Sequence, residues 1–571
     1  MDAVPPRTVA ALAAALSTAW VIYRVLSIGQ READLPPGPK TVPVLGNLLD
    51  FPKVNAHEAF SKWARIYGDI FSFKVGSSNL IVLTSPQAVK EVLDKQSAVT
   101  SDRPPMYIAD VITDGNHLPF VRQGPTWKVL RRTVRDILSP QACARHSQMQ
   151  IAESARLMYD LLRQPNDHYL HYQRYALSVI MSVTFGQSAP SLSSPSTQTF
   201  IKNAHDFNHI MGPGSTPPLD LVPMLKYIPE NIPWWVPLPT SVKETLRASW
   251  KGVCRDLRAR HKLYYSRLLK PCQERAKEGL ENRSFMQSVY EKQDENGMTD
   301  QMTLLLGQAI LETGSDTSGA YLQNATLLLA AHPEVQRKAQ EELDRVVGTE
   351  RSPRLEDMDQ LPYIRAIIEE VHRMRPVAPM AIPHHSTSYT SYRNYSIPAN
   401  TMLIPNLYGI FSSPLTYDSP EKFDPDRYLR HPLGIGEKVD PKNNANLKDF
   451  VYGFGKRSCP GIILAKNTIS INISNLLWGF DILKKTCPDG KPMELDLDAT
   501  KPQLVLVTPP FPADIRPRSR KHAEIITQNF IDSTPVCLPF EQELSLEDTK
   551  FIQDLRDEAA RKLKVLATGH T

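Results

Sequence analysis

The sequence predicts a mainly α-helical fold with a minor β region: a single large domain preceded by an N-terminal transmembrane helix. Three observations lead to this fold class. Apolar residues recur at helical spacing through most of the chain, and strand-like runs are few and short. No internal repeat or flexible linker interrupts the stretch from Pro39 to about Arg516. A chain of 571 residues could hold several domains, but the missing linker favours one.

The overall composition excludes several classes of protein. With 41% hydrophobic and 8% aromatic residues, the chain is not a disordered or low-complexity protein. Its 66 basic and 61 acidic residues leave a net charge of +5, which is too small over this length to indicate a nucleic-acid partner. The six cysteines are scattered without a Cys-x-x-Cys pair, so neither a zinc site nor a disulfide framework is expected. A reduced fold that faces the cytosol is the natural interpretation.

Residues 1–30 are predicted to form a membrane anchor. The run from Thr8 to Tyr23 is uncharged and apolar character continues beyond Arg24, which together approach the roughly 20 residues that a span needs. Basic residues are more frequent after this run than before it, which places the bulk of the protein in the cytosol. Because the run is short and rich in alanine, a cleaved signal peptide is the alternative. Residues 31–40 contain a Leu-Pro-Pro-Gly-Pro sequence and are predicted to be a stiff hinge.

The pattern that follows is predominantly helical. The predicted strands are Ile70–Val75, Leu80–Thr84, Ala381–Ile382, Thr401–Pro405 and Leu504–Val507. The predicted helices are Arg131–Leu138, Ile151–Leu162, Val242–Leu269, Leu304–Ala330, Pro333–Val347 and Ile462–Trp478. Residues 41–516 are therefore predicted to form one α-rich domain.

Residues 517–571 are interpreted as a C-terminal extension of unknown role. An irregular stretch is expected after Arg518, and a helix is predicted from Ser545 to Leu566. Ser545, followed three residues later by Asp548, is similar to a capping box. The extension is expected to be an appendage rather than a second functional domain.

The most informative segment is Phe450-Val-Tyr-Gly-Phe-Gly-Lys-Arg-Ser-Cys-Pro-Gly461. A helix is predicted to begin just after Cys459, and a thiolate near a helix N-terminus is stabilised by the helix dipole and by free backbone N–H groups. Arg457 adds positive charge for an anionic partner. Taken alone, Cys459 would be interpreted as an inert buried cysteine in a turn.

This loop resembles the haem loop of the cytochrome P450 superfamily, the haem-thiolate monooxygenases. The family pattern is Phe-x-x-Gly-x-Arg-x-Cys-x-Gly, and the chain matches it from Tyr452 to Gly461 with tyrosine in place of the phenylalanine. The resemblance implies that Cys459 is the axial ligand of a haem b iron and that Arg457 binds a haem propionate. A thiolate ligand pushes electron density onto the iron, which favours O–O cleavage.

A second motif lies inside the helix predicted at Leu304–Ala330. Thr313-Gly-Ser-Asp-Thr-Ser318 contains poor helix formers, which cost roughly 0.5–1 kcal/mol each against alanine. Glycine lets a ligand approach the backbone, and threonine can bond a carbonyl and open a groove. From Gly314 to Ser318 the segment resembles the family's oxygen-activation motif, Ala/Gly-Gly-x-Asp/Glu-Thr-Thr/Ser. The resemblance makes Asp316 and Thr317 the catalytic pair, suited to relay protons through water.

A third motif is predicted to be structural. Glu370 and Arg373 are three residues apart and share one face of a helix. Alone they would be interpreted as an exposed ion pair of little energetic value. In the family, a Glu-x-x-Arg pair is buried and locked by an arginine from a Phe-x-Pro-x-Arg segment, here Phe423 to Arg427. The resemblance therefore implies that Glu370, Arg373 and Arg427 together support the haem loop.

Two further matches concern the haem propionates. Trp127 and Arg131 fit the family's Trp-x-x-x-Arg, and Pro383-His384 fits its Pro-His or Pro-Arg element. For His384 the alternative is a surface histidine with satisfied hydrogen bonds. Nearby, the basic side chains Lys128, Arg132 and Arg135 form either a docking patch for an electron donor or an ordinary solvated face.

The resemblance covers about Leu35 to Arg516 and implies a monooxygenase of the endoplasmic-reticulum membrane. One atom of O2 would enter the substrate and the other would leave as water, with NADPH electrons delivered by NADPH–cytochrome reductase and cytochrome b5 as a second candidate donor. The stretches expected to shape the substrate site are mainly apolar, which indicates a lipophilic small molecule; they are Met106–Val121, Ala204–Trp235, Leu305–Thr313, Pro376–Ile382 and Thr500–Leu504. The sequence is similar in style to fungal enzymes of secondary metabolism.

Two other classes of function stay open at this point. A haem-thiolate isomerase or dehydratase would need neither O2 nor a reductase, and the retained Asp316-Thr317 pair argues against it. A membrane-anchored binding protein without catalysis is the other alternative, and the complete motif set argues against that.

Overall fold

The structure is a computed structural model. It describes the whole chain except residues 1–5, 53, 213–215, 217–218, 221–225, 228–238, 240–248, 281–283, 501–504 and 569–571. Most of the chain is helical, with three small sheets.

The helices arise where apolar spacing and terminal signals agree. Several of them begin with proline in the first turn, where its missing N–H has no partner to lose. The longer helices are α1 (Pro6–Ser27), α2 (Ala56–Tyr67), α3 (Tyr107–Thr113), α4 (Pro125–Ile137), α5 (Pro140–Arg163), α6 (His168–Phe185), α7 (Pro195–Met211), α8 (Ser249–Glu278), α9 (Phe285–Glu291), α10 (Asp300–Ala331), α11 (Pro333–Val346), α12 (Pro362–Met374), α13 (Ile462–Gly479), α14 (Arg520–Asp532) and α15 (Leu546–Thr568).

The strands form one four-stranded sheet and two pairs. They are β1 (Ile70–Val75), β2 (Ser78–Leu83), β3 (His384–His385), β4 (Thr390–Tyr392), β5 (Tyr395–Ile397), β6 (Thr401–Pro405), β7 (Phe480–Lys484) and β8 (Ala513–Pro517). The main sheet has the order β1-β2-β6-β3, in which β2 and β6 run parallel and the other pairs are antiparallel. The remaining pairs are β4 with β5 and β7 with β8, both antiparallel.

Helix α10 runs through the centre of the molecule. Thr299 caps it, since its hydroxyl accepts a hydrogen bond from the backbone N–H of Met302 at 3.2 Å. Nearly all of α10 is buried, and its most extensive packing contact is with α6. The largest apolar cluster joins α5, α6 and α10 to α12, α13 and the β7–β8 pair. This packing fixes α10 as the rigid element on which the second motif is displayed.

The C-terminal extension is part of this core, so the expectation of an appendage is wrong in structural terms. Ile526 and Phe530 of α14 and Leu555 of α15 are buried in the same cluster as the central helices. The ring of Phe530 stacks on Tyr159 with centroids 4.7 Å apart. The stretch after Arg518 is also not irregular, because α14 begins there.

Some of the other predicted helices and strands are confirmed, and others are not. The strands Ile70–Val75 and Thr401–Pro405 are confirmed, and so are the helices from Pro333 and Ile462. The strand predicted at Ala381–Ile382 is wrong, since the strand begins at His384. Of the strand predicted at Leu504–Val507, residue 504 lies outside the described part, and Val507 makes an isolated β-bridge. The start of the helix predicted at Val242–Leu269 also lies outside it, and the described helix begins at Ser249.

The N-terminal segment forms α1, whose side chains from residue 12 onward are largely exposed. In the part of the chain that the structure describes, no helix combines the length and the apolar character that crossing a membrane requires. The predicted transmembrane helix is therefore not confirmed.

Candidate active site

The loop that carries Cys459 is held by its own backbone. The N–H of Cys459 donates to the carbonyl of Tyr452 at 2.6 Å, and α13 begins three residues later. Gly455 adopts a φ of +49°, and a Cβ there would lie 2.6 Å from the carbonyl oxygen of Leu93. Glycine is thus required at position 455 by the positive φ and by the close approach of the backbone at Leu93. The loop presents the thiol at a fixed point ahead of α13.

The Cys459 side chain is exposed, although many protein atoms lie around it. Burial raises the pKa of the Cys459 thiol, although the N–H of Gly461 and the charge of Arg131 lower it. The sequence suggested that the helix N-terminus stabilises a thiolate at Cys459. The raised pKa means that the helix N-terminus does not by itself keep this thiol ionised. A coordinated metal ion deprotonates a thiol outright, so a metal partner supplies what the protein surroundings do not.

Tyr452, the departure from the family pattern, has a polar neighbour. Its hydroxyl lies 3.4 Å from Nε2 of His372, a buried histidine of α12. Burial lowers the pKa of His372 to about 3, so the ring is neutral and can accept from the tyrosine. The hydroxyl is thereby accommodated without a change in the loop.

Two arginines beside Cys459 carry unused donors. Arg457 donates through Nε to the carbonyl of Ser101 at 2.7 Å and through Nη2 to that of Val121 at 2.9 Å. Arg131 donates to the carbonyl of Ser458 at 2.7 Å. Among the described residues, Nη1 of Arg457 and Nε of Arg131 are buried without a hydrogen-bond partner. Buried donors of this kind are normally satisfied, so they fit an anionic ligand.

Trp127 and a third arginine complete this group. The guanidinium of Arg457 lies 4.7 Å from the ring centre of Trp127, which is buried on α4. Arg103, which the sequence analysis missed, is buried and donates to the carbonyls of Pro119, Ile382 and Pro383. The signal available for it was weak: an arginine before two prolines. Burial lowers the pKa of Arg457 to about 10, still high enough to keep it charged at neutral pH.

His384 opens β3 and is 2% exposed, so the surface alternative is wrong. Its Nδ1 donates to the carbonyl of Thr100 at 2.8 Å. Burial and the neighbouring Arg103 lower its pKa to about 3, which makes the imidazole neutral. In that tautomer Nε2 is an acceptor, so His384 donates to a carboxylate only after it takes up a second proton.

The residues present fit a haem. A single thiol, unpartnered arginine donors for two carboxylates and a flanking aromatic ring are the chemistry that an anionic iron porphyrin needs. Helix α10 supports the same conclusion, because Thr313 and Thr317 are exposed in the middle of a largely buried helix. They lie one turn apart on one face, which therefore borders open internal space.

The residues of the second motif, Thr313 to Ser318, lie on two different faces of α10. The Thr317 hydroxyl donates to the carbonyl of Thr313 at 2.9 Å, and Asp316 accepts from the side-chain amide of Asn208 at 3.2 Å. Burial raises the pKa of Asp316 to about 6. Gly314 does not face a ligand as expected: a Cβ there would lie 2.6 Å from Ile180, so this glycine lets α6 and α10 pack closely.

A buried polar cluster next to this motif escaped the sequence analysis. Glu312 contacts His117, His261, Tyr265 and Gln308 from three separate segments. Its position one turn before Asp316, within an apolar run, was the available signal. The partners themselves are brought together only by the fold.

The three residues of the predicted structural group, Glu370, Arg373 and Arg427, are in contact with one another. Both oxygens of Glu370 accept from Arg373, at 2.7 and 2.8 Å, and Arg427 donates to the same carboxylate at 3.1 Å. All three residues are buried, so the interpretation as an exposed pair is wrong. The arginines also donate to backbone carbonyls of residues 411–422, which ties α12 to that segment.

Three of the stretches predicted to shape the substrate site, Met106–Val121, Ala204–Trp235 and Pro376–Ile382, contribute to one apolar cluster, whereas Leu305 and Ile310 belong to another. The first cluster contains Ile108, Ile112, Phe120, Phe207, Ile210, Trp250 and Leu257, with Ile382 packed against it. Large parts of Ala204–Trp235 and of Thr500–Leu504 lie outside the described residues. The predicted docking residues Lys128, Arg132 and Arg135 are exposed along one face of α4.

Comparison with known proteins identifies the family. The cytochrome P450 family model matches residues 36–512. A cytochrome P450 monooxygenase of Armillaria gallica is 38% identical over 93% of this chain and 99% of its own length. One from Arthrobotrys oligospora is 35% identical over 92% and 97%, and the yanC monooxygenase of Aspergillus niger is 34% identical over 87% and 92%.

The fold comparison agrees. A zebrafish cytochrome P450, solved with abiraterone, has a TM-score of 0.62 and 23% identity over 81% of this chain and 100% of its own. The family implies haem with cysteine-thiolate ligation and, in general terms, a lipophilic substrate and a redox partner. The chain belongs to the cytochrome P450 family and is a haem-thiolate monooxygenase.

Proposed function

We propose that this protein is an endoplasmic-reticulum monooxygenase that binds haem b through Cys459 and receives NADPH electrons from NADPH–cytochrome reductase. The observation that carries the haem assignment is the pair of buried donors on Arg457 and Arg131, which have no partner among the described residues and lie beside the only thiol of the loop. Trp127 flanks Arg457, and His384 is a further propionate contact, since an adjacent carboxylate favours the protonated imidazole. Bound haem supplies the reduction of O2 and the transfer of one oxygen atom.

The proposed role of Asp316 and Thr317 on α10 is proton delivery. Thr317 borders the internal space, and Asp316 precedes it on the same helix with a carboxyl that is partly protonated near neutral pH. A carboxyl and a hydroxyl in this arrangement can pass a proton through water. The two residues then control how many electrons end in product rather than whether haem binds.

Coupling of electrons to product tests this task. Thr317→Ala is expected to keep a normal haem spectrum and to consume NADPH, while product per NADPH falls and peroxide appears. Asp316→Asn is expected to slow turnover by about 10²-fold. Ser318→Ala, at the adjacent position, is the control. Unchanged coupling in both variants would show that the protons come from elsewhere.

Electron transfer is proposed to occur through the exposed face of α4. Lys128, Arg132 and Arg135 present positive charge on the helix that also carries Trp127 and Arg131. Arg135→Glu is expected to raise the KM for reductase, most strongly at low salt, with unchanged haem content. Lys262→Glu on α8 is the matched charge reversal. Equal effects of the two substitutions would make the α4 face an ordinary solvated surface.

The membrane anchor is a proposal that rests on α1. Leu16, Trp20 and Tyr23 are each more than half exposed, and exposed apolar surface of this kind is typical of a membrane contact. A chain that starts at Leu35 is expected to load haem normally and to leave the membrane fraction in part. Failure of this shorter chain to bind haem would give α1 a structural role instead.

The substrate is proposed to be a lipophilic small molecule of fungal secondary metabolism. The apolar cluster around Phe120 and Phe207 supports the polarity, and the fungal relatives support the setting. Comparative metabolite profiling of a strain that lacks the protein would identify the molecule. NADPH consumption with purified reductase separates this function from an isomerase, which would turn over without it.

A further inference from the structure

Helix α10 carries three polar side chains at four-residue spacing: Gln308, Glu312 and Asp316. This spacing places them on one stripe of the helix. The stripe faces α7, α8 and the segment after α3, which supply Asn208, His261 with Tyr265, and His117 respectively. It contains two carboxyl groups, one turn apart, on a helix that is largely buried.

Glu312 is richly supplied with donors. Nε2 of His117 lies 3.1 Å from one oxygen, and the Tyr265 hydroxyl donates to the other at 2.9 Å. The side-chain amide of Gln308 donates to that same oxygen at 3.1 Å. Hydrogen bonds to an ionised carboxylate favour the charged form. Glu312 is therefore built to hold a negative charge although it is only 8% exposed.

Asp316 has a much poorer environment for charge. Within the described residues its side chain accepts one hydrogen bond, from the neutral amide of Asn208 at 3.2 Å. The nearest charge on its own helix is Glu312, one turn away, which repels a second negative charge. Two neighbouring carboxyls do not ionise independently, so the one with more hydrogen-bond donors takes the charge and the other keeps the proton.

The titration behaviour of the surrounding groups agrees with this division. Burial would raise the pKa of Glu312, but His117, His261 and Tyr265 lower it below its ordinary value. Burial lowers the pKa of His261, although the charge of Glu312 raises it. Burial raises the pKa of Tyr265 well above its usual value, so its hydroxyl remains a donor. Among the described residues, Tyr264 acts on Tyr265 and Arg260 acts on His261, and Arg260 is itself paired with Asp206 of α7 at 2.7 Å.

We propose that Glu312 and Asp316 are a carboxyl pair that shares one proton, with Glu312 as the fixed anion and Asp316 as the proton-holding partner. Glu312 is then a positioning residue that acts through Asp316. Each proton that Asp316 passes on is replaced by one from water, so the pair returns to a single shared proton. This inference rests on the proposed role of Asp316 in proton delivery, and it explains how an aspartate can stay partly protonated near neutral pH.

Infrared titration of the purified, full-length holoenzyme, without substrate or NADPH, tests the pair. The wild-type protein is expected to show a protonated-carboxyl band that titrates near pH 6 and is absent from Asp316→Asn. In Glu312→Gln the midpoint is expected to fall by about one pH unit or more, which lowers the fraction of protonated Asp316 at neutral pH by about tenfold or more. Glu341→Gln, an exposed change on α11, is expected to leave the midpoint unchanged.

Three results would overturn the pair: a midpoint that Glu312→Gln does not move, a band that persists in Asp316→Asn, or a band lost in Glu312→Gln. If Glu312→Gln does not retain haem, isotope labelling of the wild-type protein decides. The titrating band should shift with ¹³C-labelled aspartate and not with ¹³C-labelled glutamate, and the reverse contradicts the proposal. Unchanged coupling in Asp316→Asn would remove the catalytic role of Asp316 and leave the pair intact, so the two failures are distinguishable.

Discussion

The guanidinium of Arg457 lies 4.7 Å from the ring centre of Trp127, so the loop before α13 and the first turn of α4 meet at one point. This contact leaves Nη1 of Arg457 buried and unpartnered among the described residues. An anion held there gains a charge-assisted hydrogen bond, which is roughly twice as strong as a neutral one.

Arg457→Gln is therefore expected to weaken haem retention by tenfold or more, since a hydrogen bond to a charged group contributes about 1.5–3 kcal/mol. The rate of haem transfer to an excess of apomyoglobin measures this loss. Arg132→Gln, an exposed arginine of α4, is expected to retain haem like the wild type. Equal transfer rates for the two variants would remove Arg457 from the haem site.

Cys459→Ser is expected to abolish the red-shifted Soret band of the reduced carbon-monoxide complex, because the thiolate ligand causes that shift. The measurement is the reduced carbon-monoxide difference spectrum at matched haem content. Cys487→Ser, at a partly exposed position away from the loop, should keep the band. A normal spectrum in Cys459→Ser would mean that another residue ligates the iron.

Glu370→Ala is expected to prevent accumulation of haem-loaded protein. Removal of the carboxylate leaves Arg373 and Arg427 buried without their counter-ion, which costs about 3–5 kcal/mol. Haem content per polypeptide after expression measures the effect, and the exposed Glu341→Ala is the control. A stable, haem-loaded but slow Glu370→Ala enzyme would instead assign this residue to the chemistry.

Asp316→Asn is expected to stabilise the fold at high pH. The folded-state pKa of Asp316 is about 6, so the native state holds its proton where the unfolded state has lost it. Stability is therefore highest below the ordinary aspartate pKa and falls as the pH rises to about 6, by up to roughly 3 kcal/mol for a shift of about two pKa units. The Asn variant lacks this fall, so its melting temperature should exceed that of the wild type at pH 8 and approach it at pH 4. Asp300→Asn, exposed at the start of the same helix, is the control, and parallel pH curves for wild type and Asp316→Asn would refute the argument.

Phe530→Ala in the C-terminal extension is expected to cost about 3–5 kcal/mol of unfolding free energy, as for other buried aromatic side chains. The cost arises because the ring stacks on Tyr159 within the main core. Val565→Ala on α15, where the side chain is 54% exposed, should cost little. Denaturant unfolding followed by haem absorbance compares the two, and equal midpoints would make the extension a loosely attached segment.

The sequence alone was sufficient for the parts of this protein that depend on local pattern. The loop around Cys459, the poor helix formers around Asp316 and the Glu370-Arg373 spacing are all contained in short segments. Helical periodicity likewise located α10, α11 and α13 to within a few residues. Such features follow from neighbours in the chain, so no knowledge of the rest of the molecule is needed.

Only the tertiary structure decided which distant groups share an environment. The partners of Glu312 come from α8 and from the segment after α3, so no spacing in the sequence could pair Glu312 with His117 or Tyr265. The same holds for Gly314, whose missing side chain makes room for Ile180 rather than for a ligand, and for Phe530, which completes a core far from its position in the chain. Burial and hydrogen bonding depend on what packs nearby in space. The sequence therefore determines where a carboxyl group is present, whereas the fold determines whether that group is ionised.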